Sequence, residues 1–168
     1  MKYLGLTILF LLCTVSWAED EELQDEEAPL TIALTIFNYN SSSYGFSLYH
    51  KVSWFQAELI CRSAGYTLLD IPTDTIQDTI KDILLNSGLD LSFYSDNSLW
   101  TSGTNLGSWG HYVWQSTGQR ITYNEFLENP PTDHPFCIGY NVATGYWHHQ
   151  YCRDERYFIC KEVTTATC

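Results

Sequence analysis

Basic residues are scarce in this chain. It has 8 Lys and Arg against 20 Asp and Glu among its 168 residues, which gives a formal net charge of -12. Contacts to nucleic-acid phosphates need clustered Lys and Arg. The few basic residues here are scattered along the chain, so the composition predicts no nucleic-acid partner. Unassisted binding to anionic lipid is not expected for the same reason.

Long hydrophobic runs are also lacking. The apolar segment at residues 4–12 is well short of the roughly 20 residues that span a bilayer. Lys2 precedes it and Ser16-Trp17-Ala18 follows it, which is the pattern of a secretory signal with a small-residue cleavage site. We therefore predict a signal peptide over residues 1–18 and a secreted, extracellular protein without membrane insertion. A membrane anchor is the less favoured alternative.

The sequence carries no HExxH motif, nucleophile elbow or phosphate loop, so we expect a protein that is not an enzyme and needs no cofactor. Three histidines, His134, His148 and His149, suggest a transition-metal site as an alternative. However, His148 and His149 are neighbours on a predicted strand, where successive side chains point to opposite faces. We therefore do not expect them to share one ion.

The acidic residues are unevenly spread. Seven of them fall within residues 19–27, directly after the predicted cleavage site. Such a segment is typical of a solvated, disordered tail. A dedicated interaction segment is the alternative.

Cysteine usage fits an extracellular chain. Cys13 is removed with the signal peptide, and the mature chain keeps five cysteines, which in a secreted protein indicate disulfides; they are Cys61, Cys137, Cys152, Cys160 and Cys168. An odd number leaves one without an intramolecular partner. The terminal Cys168 is the natural candidate, so we predict that it can link two chains into a disulfide-bonded dimer.

Aromatic residues, by contrast, are abundant. They make up 15% of the chain, with 6 Trp and 12 Tyr, which favours strands over a helical bundle. The remaining chain of about 150 residues has the size of one domain. The segments 31–39, 44–49 and 66–71 are predicted to be strands, the first of them alternatively a packed arm. Asn40-Ser41-Ser42 is an N-glycosylation sequon in a turn between two of them.

Two helices are predicted in the first half. Ser53 and Gln56 form a capping box that opens a helix ending near Ser63, before Gly65. A second helix begins after Thr73 or Asp74 and ends before Gly88, with one apolar face made by Ile76, Ile80, Ile83 and Leu84. Short aromatic strands and turns follow. This order predicts an α+β domain with antiparallel sheets and a long loop region near residues 94–135.

Several segments, in order, are similar to the C-type lectin and C-type lectin-like domain family, especially its insect secreted forms. They are residues 52–57 (VSWFQA), 99–103 (LWTSG), 114–119 (WQSTGQ), 121–123 (ITY), Cys137, Trp147, Cys152 and 158–161 (FICK). The resemblance implies a C-type lectin-like fold at residues 44–162. It leaves an acidic tail and arm at 19–43 and a C-terminal tail at 163–168.

The resemblance also implies a disulfide pattern. It pairs Cys61 with Cys160 and Cys137 with Cys152, in the short form of the fold with two bridges. Trp100, Trp114 and Trp147 match positions that pack in the core of the family.

Sugar-binding members of the family use a calcium ion held by carboxylates and amides in the long loop. Calcium prefers six to eight oxygen ligands. At the matching positions this chain has Pro130-Pro131-Thr132, Pro135, His148 and His149, so the usual calcium site is predicted to be lost. Pro131 keeps a proline that is commonly cis in the family. Glu128 and Asp133 leave a weak or displaced calcium site as the alternative.

The resemblance therefore predicts a recognition protein that binds a carbohydrate, a glycoprotein or another extracellular protein through its long-loop surface, without the usual calcium ion. The alternative is an ordinary calcium-dependent lectin of the galactose or mannose type. The candidate ligand-binding residues are Pro130, Pro131, Thr132, His148 and His149, with Trp109 and Tyr112 as the expected surface aromatics.

Overall fold

The structure, a computed structural model, describes residues 32–94 (without the side chains of Ser92 and Phe93), 98–107 and 110–163. The predicted signal peptide, Trp109 and Cys168 lie outside these residues. Two helices are present, α1 (Trp54–Ser63) and α2 (Asp74–Asn86), and a 3₁₀ turn covers Leu91–Tyr94. The strands are β1 (Thr35–Tyr39), β2 (Ser42–Phe46), β3 (Tyr66–Leu68), β4 (Ser98–Thr104), β5 (Val113–Trp114), β6 (Gln119–Arg120), β7 (Cys137–Asn141), β8 (Trp147–Gln150) and β9 (Tyr157–Glu162).

The sheet is mixed. Its main path runs β1-β2-β9-β4-β5-β6, while β3 pairs with β9, and β7 pairs with β4 and β8. The pairs are antiparallel, as predicted, except that β4 and β9 run parallel. The expectation of antiparallel sheets was wrong for this one pair, because residue alternation shows which face of a strand is buried but not the direction of its neighbour.

Helix α1 begins and ends where the sequence predicts. The Ser53 side chain accepts the Gln56 N–H, and the Gln56 side chain accepts the Ser53 N–H, which completes the capping box. Trp54, Ala57 and Cys61 are buried. Gly65 follows with φ +81°, the left-handed conformation that commonly closes a helix and that glycine adopts without strain.

Helix α2 also follows its predicted pattern. Thr73 is the N-cap and accepts the Ile76 N–H. Ile80, Ile83 and Leu84 are buried, and Ile76 is half-buried on the same apolar face. Within the described ranges, no helix is long and apolar enough to cross a membrane.

The first two strands form a hairpin at the edge of the sheet. Tyr39 faces Ser42, so Asn40 and Ser41 alone make the turn, with φ of 47° and 63°. Positive φ at both positions is the feature of a type I′ turn, whose twist suits a hairpin. Asn40 of the sequon is exposed at the tip of this hairpin.

Two clusters of buried side chains form the core. One lies around α2, β4, β7 and β8 and includes Trp114, Trp147 and Ile138. The other lies around α1 and includes Trp54 and Trp100 together with all four paired cysteines. The predicted core positions Trp100, Trp114 and Trp147 are confirmed, since each is at most 1% exposed.

The two predicted disulfides are present. Cys61 of α1 is bonded to Cys160 of β9, 99 positions away, and Cys137 of β7 is bonded to Cys152, 15 positions away. In the chain-entropy model, loops of these sizes stabilise a fold by about 4.7 and 3 kcal/mol. The first bridge ties α1 to β9, and the second ties β7 to the turn that follows β8.

Candidate functional site

A segment that runs beside β8 builds the candidate surface. It runs over residues 126–136 and is fixed at its start by a parallel bridge between Phe126 and Trp147. The Leu127 N–H donates to the Trp147 carbonyl at 3.1 Å, and the Trp147 N–H donates to the Glu125 carbonyl at 2.8 Å. These backbone bonds place the segment beside β8, as an irregular extension of the sheet.

The far end of the segment is fixed by one buried amide. Asn105 is 2% exposed. Its Nδ2 donates to the His134 carbonyl at 2.8 Å, and its Oδ1 accepts the Phe136 N–H at 2.6 Å. The segment is thus held at both ends by hydrogen bonds, although it has little regular secondary structure.

Trp147 supports the surface from below. Its ring makes edge-to-face contacts with Trp114, Tyr123 and Phe126, at centroid distances of 5.2, 5.5 and 5.5 Å. Such contacts stabilise aromatic clusters beyond the effect of burial. The cluster gives the neighbouring β8 residues, His148 and His149, a rigid base.

The prediction that Tyr112 is a surface residue was wrong. It is 7% exposed, packs edge-to-face on Phe126 at 5.5 Å, and its hydroxyl donates to the Pro131 carbonyl at 2.9 Å. Burial raises the pKa of Tyr112 to about 12. Its neighbouring glycine, Gly110, suggested an exposed loop, but the ring turns inward and fixes the middle of the 126–136 segment.

The cis bond that the family commonly has before the proline at position 131 is not present in this chain. No cis peptide bond occurs among the described residues, so the bond before Pro131 is trans. Pro131 contributes its carbonyl to Tyr112, and it lines neither of the clefts that flank the segment.

The first cleft, the histidine cleft, has a volume of about 270 Å³ and is lined by Leu127, Glu128, Trp147, His148 and His149. Both histidines line it, although they are consecutive on β8. Nε2 of His148 is buried and has no hydrogen-bond partner within the described part of the chain. Burial, followed by the nearby His149 and Arg156, lowers the pKa of His148 below its usual value and so favours the neutral ring.

An aromatic row extends from the histidine cleft. His149 packs edge-to-face on Phe136 at 5.2 Å, and Phe136 in turn contacts Tyr151 at 5.3 Å. Tyr151 is 64% exposed. The sequence prediction missed Tyr151, although its place one residue before Cys152, just beyond β8, was a usable signal.

The second cleft, the arginine cleft, has a volume of about 250 Å³ on the other side of the segment. Its lining includes the predicted Pro130, Thr132 and Tyr112 together with His111, Arg120 and Asn124. The Arg120 guanidinium donates to Nδ1 of His111 at 3.2 Å. The sequence prediction missed His111, Arg120 and Asn124. Nothing in their spacing shows that the β5–β6 hairpin meets the 126–136 segment.

The two candidate calcium carboxylates have different surroundings. Glu128 lines the histidine cleft, whereas Asp133 accepts from Nδ1 of His134 at 3.2 Å. This hydrogen bond lowers the pKa of Asp133. Among the residues that the structure describes, no group of three His, Cys, Asp or Glu side chains could hold a metal ion.

Comparison with known proteins agrees with this architecture. Residues 50–162 match the family model for the Lectin C-type domain. The chain is 30% identical to C-type lectin mosGCTL-7 of Culex quinquefasciatus over 128 residues, which cover 69% of this chain and 72% of that protein. It is 28% identical to Lectin BRA-3 of Megabalanus rosa over 129 residues, which cover 73% and 72%.

A solved structure shows the same fold. The mouse scavenger receptor C-type lectin carbohydrate-recognition domain superposes with a TM-score of 0.62 at 22% identity, covering 79% of this chain and 97% of that domain. The family model, the relatives, the fold and the two disulfides lead to the same conclusion: the chain belongs to the C-type lectin domain family.

Proposed function

We propose that this protein is a secreted recognition protein that binds a carbohydrate, free or carried by a glycoprotein, through its long-loop surface and without the usual calcium ion. The observation that carries the proposal is the pair of clefts on either side of the fixed 126–136 segment. Both are preformed, and each combines hydrogen-bonding side chains with an apolar wall, as small-ligand sites commonly do.

The chemistry of the histidine cleft suits sugar hydroxyls. The partly exposed His149 ring lines the cleft and can hydrogen-bond to a ligand hydroxyl. Glu128 adds an acceptor. The exposed Tyr151, at the end of the aromatic row, offers a face on which the C–H groups of a sugar ring can stack.

The arginine cleft offers complementary groups. Arg120 has donors on a planar guanidinium, and Asn124 has both a donor and an acceptor. Pro130 and Thr132, which stand where calcium-binding relatives have side-chain ligands, line this cleft. In this proposal they contact the ligand directly and do not hold an ion.

The proposal of calcium independence rests on the donor set. Pro130, Thr132, Pro135, His148 and His149 supply no carboxylate, and calcium affinity depends chiefly on carboxylates. Glu128 in the histidine cleft is the one observation that favours the alternative, a calcium-dependent lectin with a displaced site.

The remaining parts of the proposal concern the whole protein. The C-type lectin family consists of binding proteins, and we propose no enzymatic activity for this member. The signal peptide over residues 1–18 and secretion follow from the sequence pattern. We also propose that Asn40 is glycosylated, since it lies exposed at a hairpin tip.

A glycan array, probed with the secreted protein in calcium and in a chelator, tests the proposal. We expect binding to one glycan class in both buffers. The His149→Ala and Arg120→Ala variants should each weaken it by about tenfold, the effect of losing one charged or well-placed hydrogen bond. The exposed His50, which lines neither cleft, provides the matched control His50→Ala.

Two outcomes would contradict the proposal. Binding that disappears in chelator would establish the calcium-dependent alternative. Retention of a protein ligand that is unchanged after enzymatic deglycosylation, with no glycan bound on the array, would show that the surface recognises protein.

A further inference from the structure

A third concave site lies between α1 and residues 106–107 and 115, separate from the two clefts that flank the 126–136 segment. It has a volume of about 350 Å³, and its lining includes Trp54, Phe55, Glu58, Arg62, Gly107 and Gln115. It shares no residue with the histidine cleft or the arginine cleft. We call it the α1 groove.

The α1 groove contains a carboxylate whose hydrogen bonding is incomplete. Oε1 of Glu58 accepts from Nε of Arg62 at 2.7 Å. Oε2 of Glu58 is buried and, within the described ranges, has no hydrogen-bond partner. The whole Glu58 side chain is only 12% exposed. A buried acceptor without a donor is costly. Oε2 has almost no exposed surface in this conformation, so a ligand hydroxyl reaches it after a side-chain rotation that turns the carboxylate into the groove.

The charge of the α1 groove selects the kind of donor. Arg62 lies against Glu58 and is itself 59% exposed, so the carboxylate charge is already balanced. A cationic donor such as a lysine would meet the guanidinium as well as the carboxylate. A neutral hydroxyl can donate to Glu58 without this repulsion, and it can accept from Arg62 at the same time.

An aromatic wall adds an apolar contact. The Phe55 ring is 44% exposed, and it is held edge-to-face on the buried Trp54 at 5.6 Å and 88°. The exposed Gln115 side chain offers a further donor and acceptor. An apolar face beside paired hydroxyl-binding groups matches a pyranose ring, which has a C–H face and neighbouring hydroxyls on its edge.

We propose that the α1 groove is a second carbohydrate subsite that takes a neutral pyranose residue, with Phe55 stacking on the ring and Glu58 and Arg62 binding its hydroxyls. This inference is independent of the histidine cleft and the arginine cleft, with which the groove shares no lining residue. A chain with both sites could engage two residues of one branched glycan, or two glycans.

The test is a titration of the isotope-labelled secreted protein with methyl glycosides of glucose, galactose, mannose and N-acetylglucosamine, followed by nuclear magnetic resonance. At least one glycoside should shift the Trp54 indole and Gln115 amide signals in a saturable way. Phe55→Ala and Glu58→Gln should each weaken this binding by about tenfold.

The controls separate a subsite from a change in fold. Leu59→Ala, on the same helix, alters a side chain that is 67% exposed and does not line the groove, and it should leave binding unchanged. Gly107→Leu should abolish binding without disturbing the fold, because a Cβ at Gly107 meets nothing within 4 Å. His149→Ala should not affect these signals.

The inference is overturned if none of the glycosides gives saturable shifts at Trp54 and Gln115, or if such shifts survive Phe55→Ala and Gly107→Leu. Shifts confined to signals of the long-loop surface would refute this subsite and leave the proposed function standing. Shifts in the α1 groove with none at the long-loop surface would support this subsite and contradict the proposed function.

Discussion

The indole N–H of Trp147 donates to Oε1 of Gln77 at 2.9 Å and so joins two residues 70 positions apart. Trp147 is fully buried and Gln77 is 3% exposed. This bond connects α2 to β8, the strand that carries His148 and His149. It satisfies the one polar atom of an indole at the centre of an aromatic cluster, and it sets the position of the helix against the candidate surface.

Replacing Gln77 should therefore destabilise the fold. We expect Gln77→Ala to lower the free energy of unfolding by about 1–3 kcal/mol, since the buried indole N–H loses its acceptor. Gln77→Met keeps most of the volume but has no comparable acceptor, so it should be destabilised as well. Urea unfolding measures both variants.

The neighbouring residue gives a matched control for this prediction. Asp78 lies on α2, and its side chain is 71% exposed in a surface ion pair with Lys81. Asp78→Ala should change stability by no more than about 0.5 kcal/mol. If Gln77→Met is as stable as the parent protein, the hydrogen bond contributes nothing and the prediction is wrong.

Gly103 is required by close packing. A Cβ at this position would lie 2.6 Å from Cδ1 of the fully buried Ile138 and 2.9 Å from its Cβ. We expect Gly103→Ala to cost about 1–3 kcal/mol, the usual range for overpacking a core. Gly107→Ala, which meets open space, should stay within about 0.5 kcal/mol in the same thermal unfolding assay. Equal effects of the two changes would contradict this account.

Local signals in the sequence account for the part of the fold that could be predicted. Ser53 with Gln56 marks the start of α1 because both capping partners are close in sequence. The spacing of Ile80, Ile83 and Leu84 identifies the buried face of α2 for the same reason. The parallel pairing of β4 with β9 could not be predicted, since it depends on how residues 99–100 meet residues 157–158.

The candidate site was harder to predict. His148, His149, Pro130 and Thr132 were identified through their resemblance to family positions, and the structure places them in two separate clefts. Tyr112 lines the arginine cleft, but it was wrongly predicted to be exposed, because its hydroxyl partner, the Pro131 carbonyl, is 19 positions away. Arg120, Tyr151 and the α1 groove depend on contacts between distant segments that no local pattern reveals.

His148 should make stability depend on pH. Its pKa is lowered in the folded state, chiefly by burial, so below its ordinary value of 6.5 the unfolded chain binds more protons than the folded one. The contribution of His148 to the free energy of unfolding is complete above pH 6.5. It is lost as the pH falls toward the pKa that His148 has in the folded state. Stability should therefore decrease more between about pH 7.5 and 5.5 in the parent than in His148→Asn.

Chemical denaturation at the two pH values checks this. Other groups titrate in the same window, so the informative quantity is the difference between parent and variant. His50→Asn changes an exposed histidine and should keep the pH dependence of the parent. A His148→Asn variant with the full acid sensitivity of the parent would show that burial of this ring is unimportant.

Calcium should leave stability nearly unchanged. A ligand at a hundredfold excess over its Kd stabilises the folded state by about 2.7 kcal/mol, which a thermal melt detects easily. We expect the same Tm in millimolar calcium and in chelator, since Pro130, Thr132, Pro135, His148 and His149 provide no carboxylate ligand. A rise of several degrees that is abolished by Glu128→Gln, but not by the exposed control Asp78→Asn, would reveal a displaced calcium site.

The fifth cysteine of the predicted mature chain, Cys168, should determine whether chains are covalently linked. The structure pairs Cys61 with Cys160 and Cys137 with Cys152, and Cys168 lies outside the described residues, six positions beyond the end of β9 at Glu162. In an oxidising compartment, an odd thiol tends to pair with another chain or with a small thiol. We expect non-reducing electrophoresis of the secreted protein to show a dimer that is absent from Cys168→Ser and from reduced samples. The variant should keep the parent Tm, because both internal disulfides remain intact, and a monomer in every lane would mean that Cys168 does not link two chains.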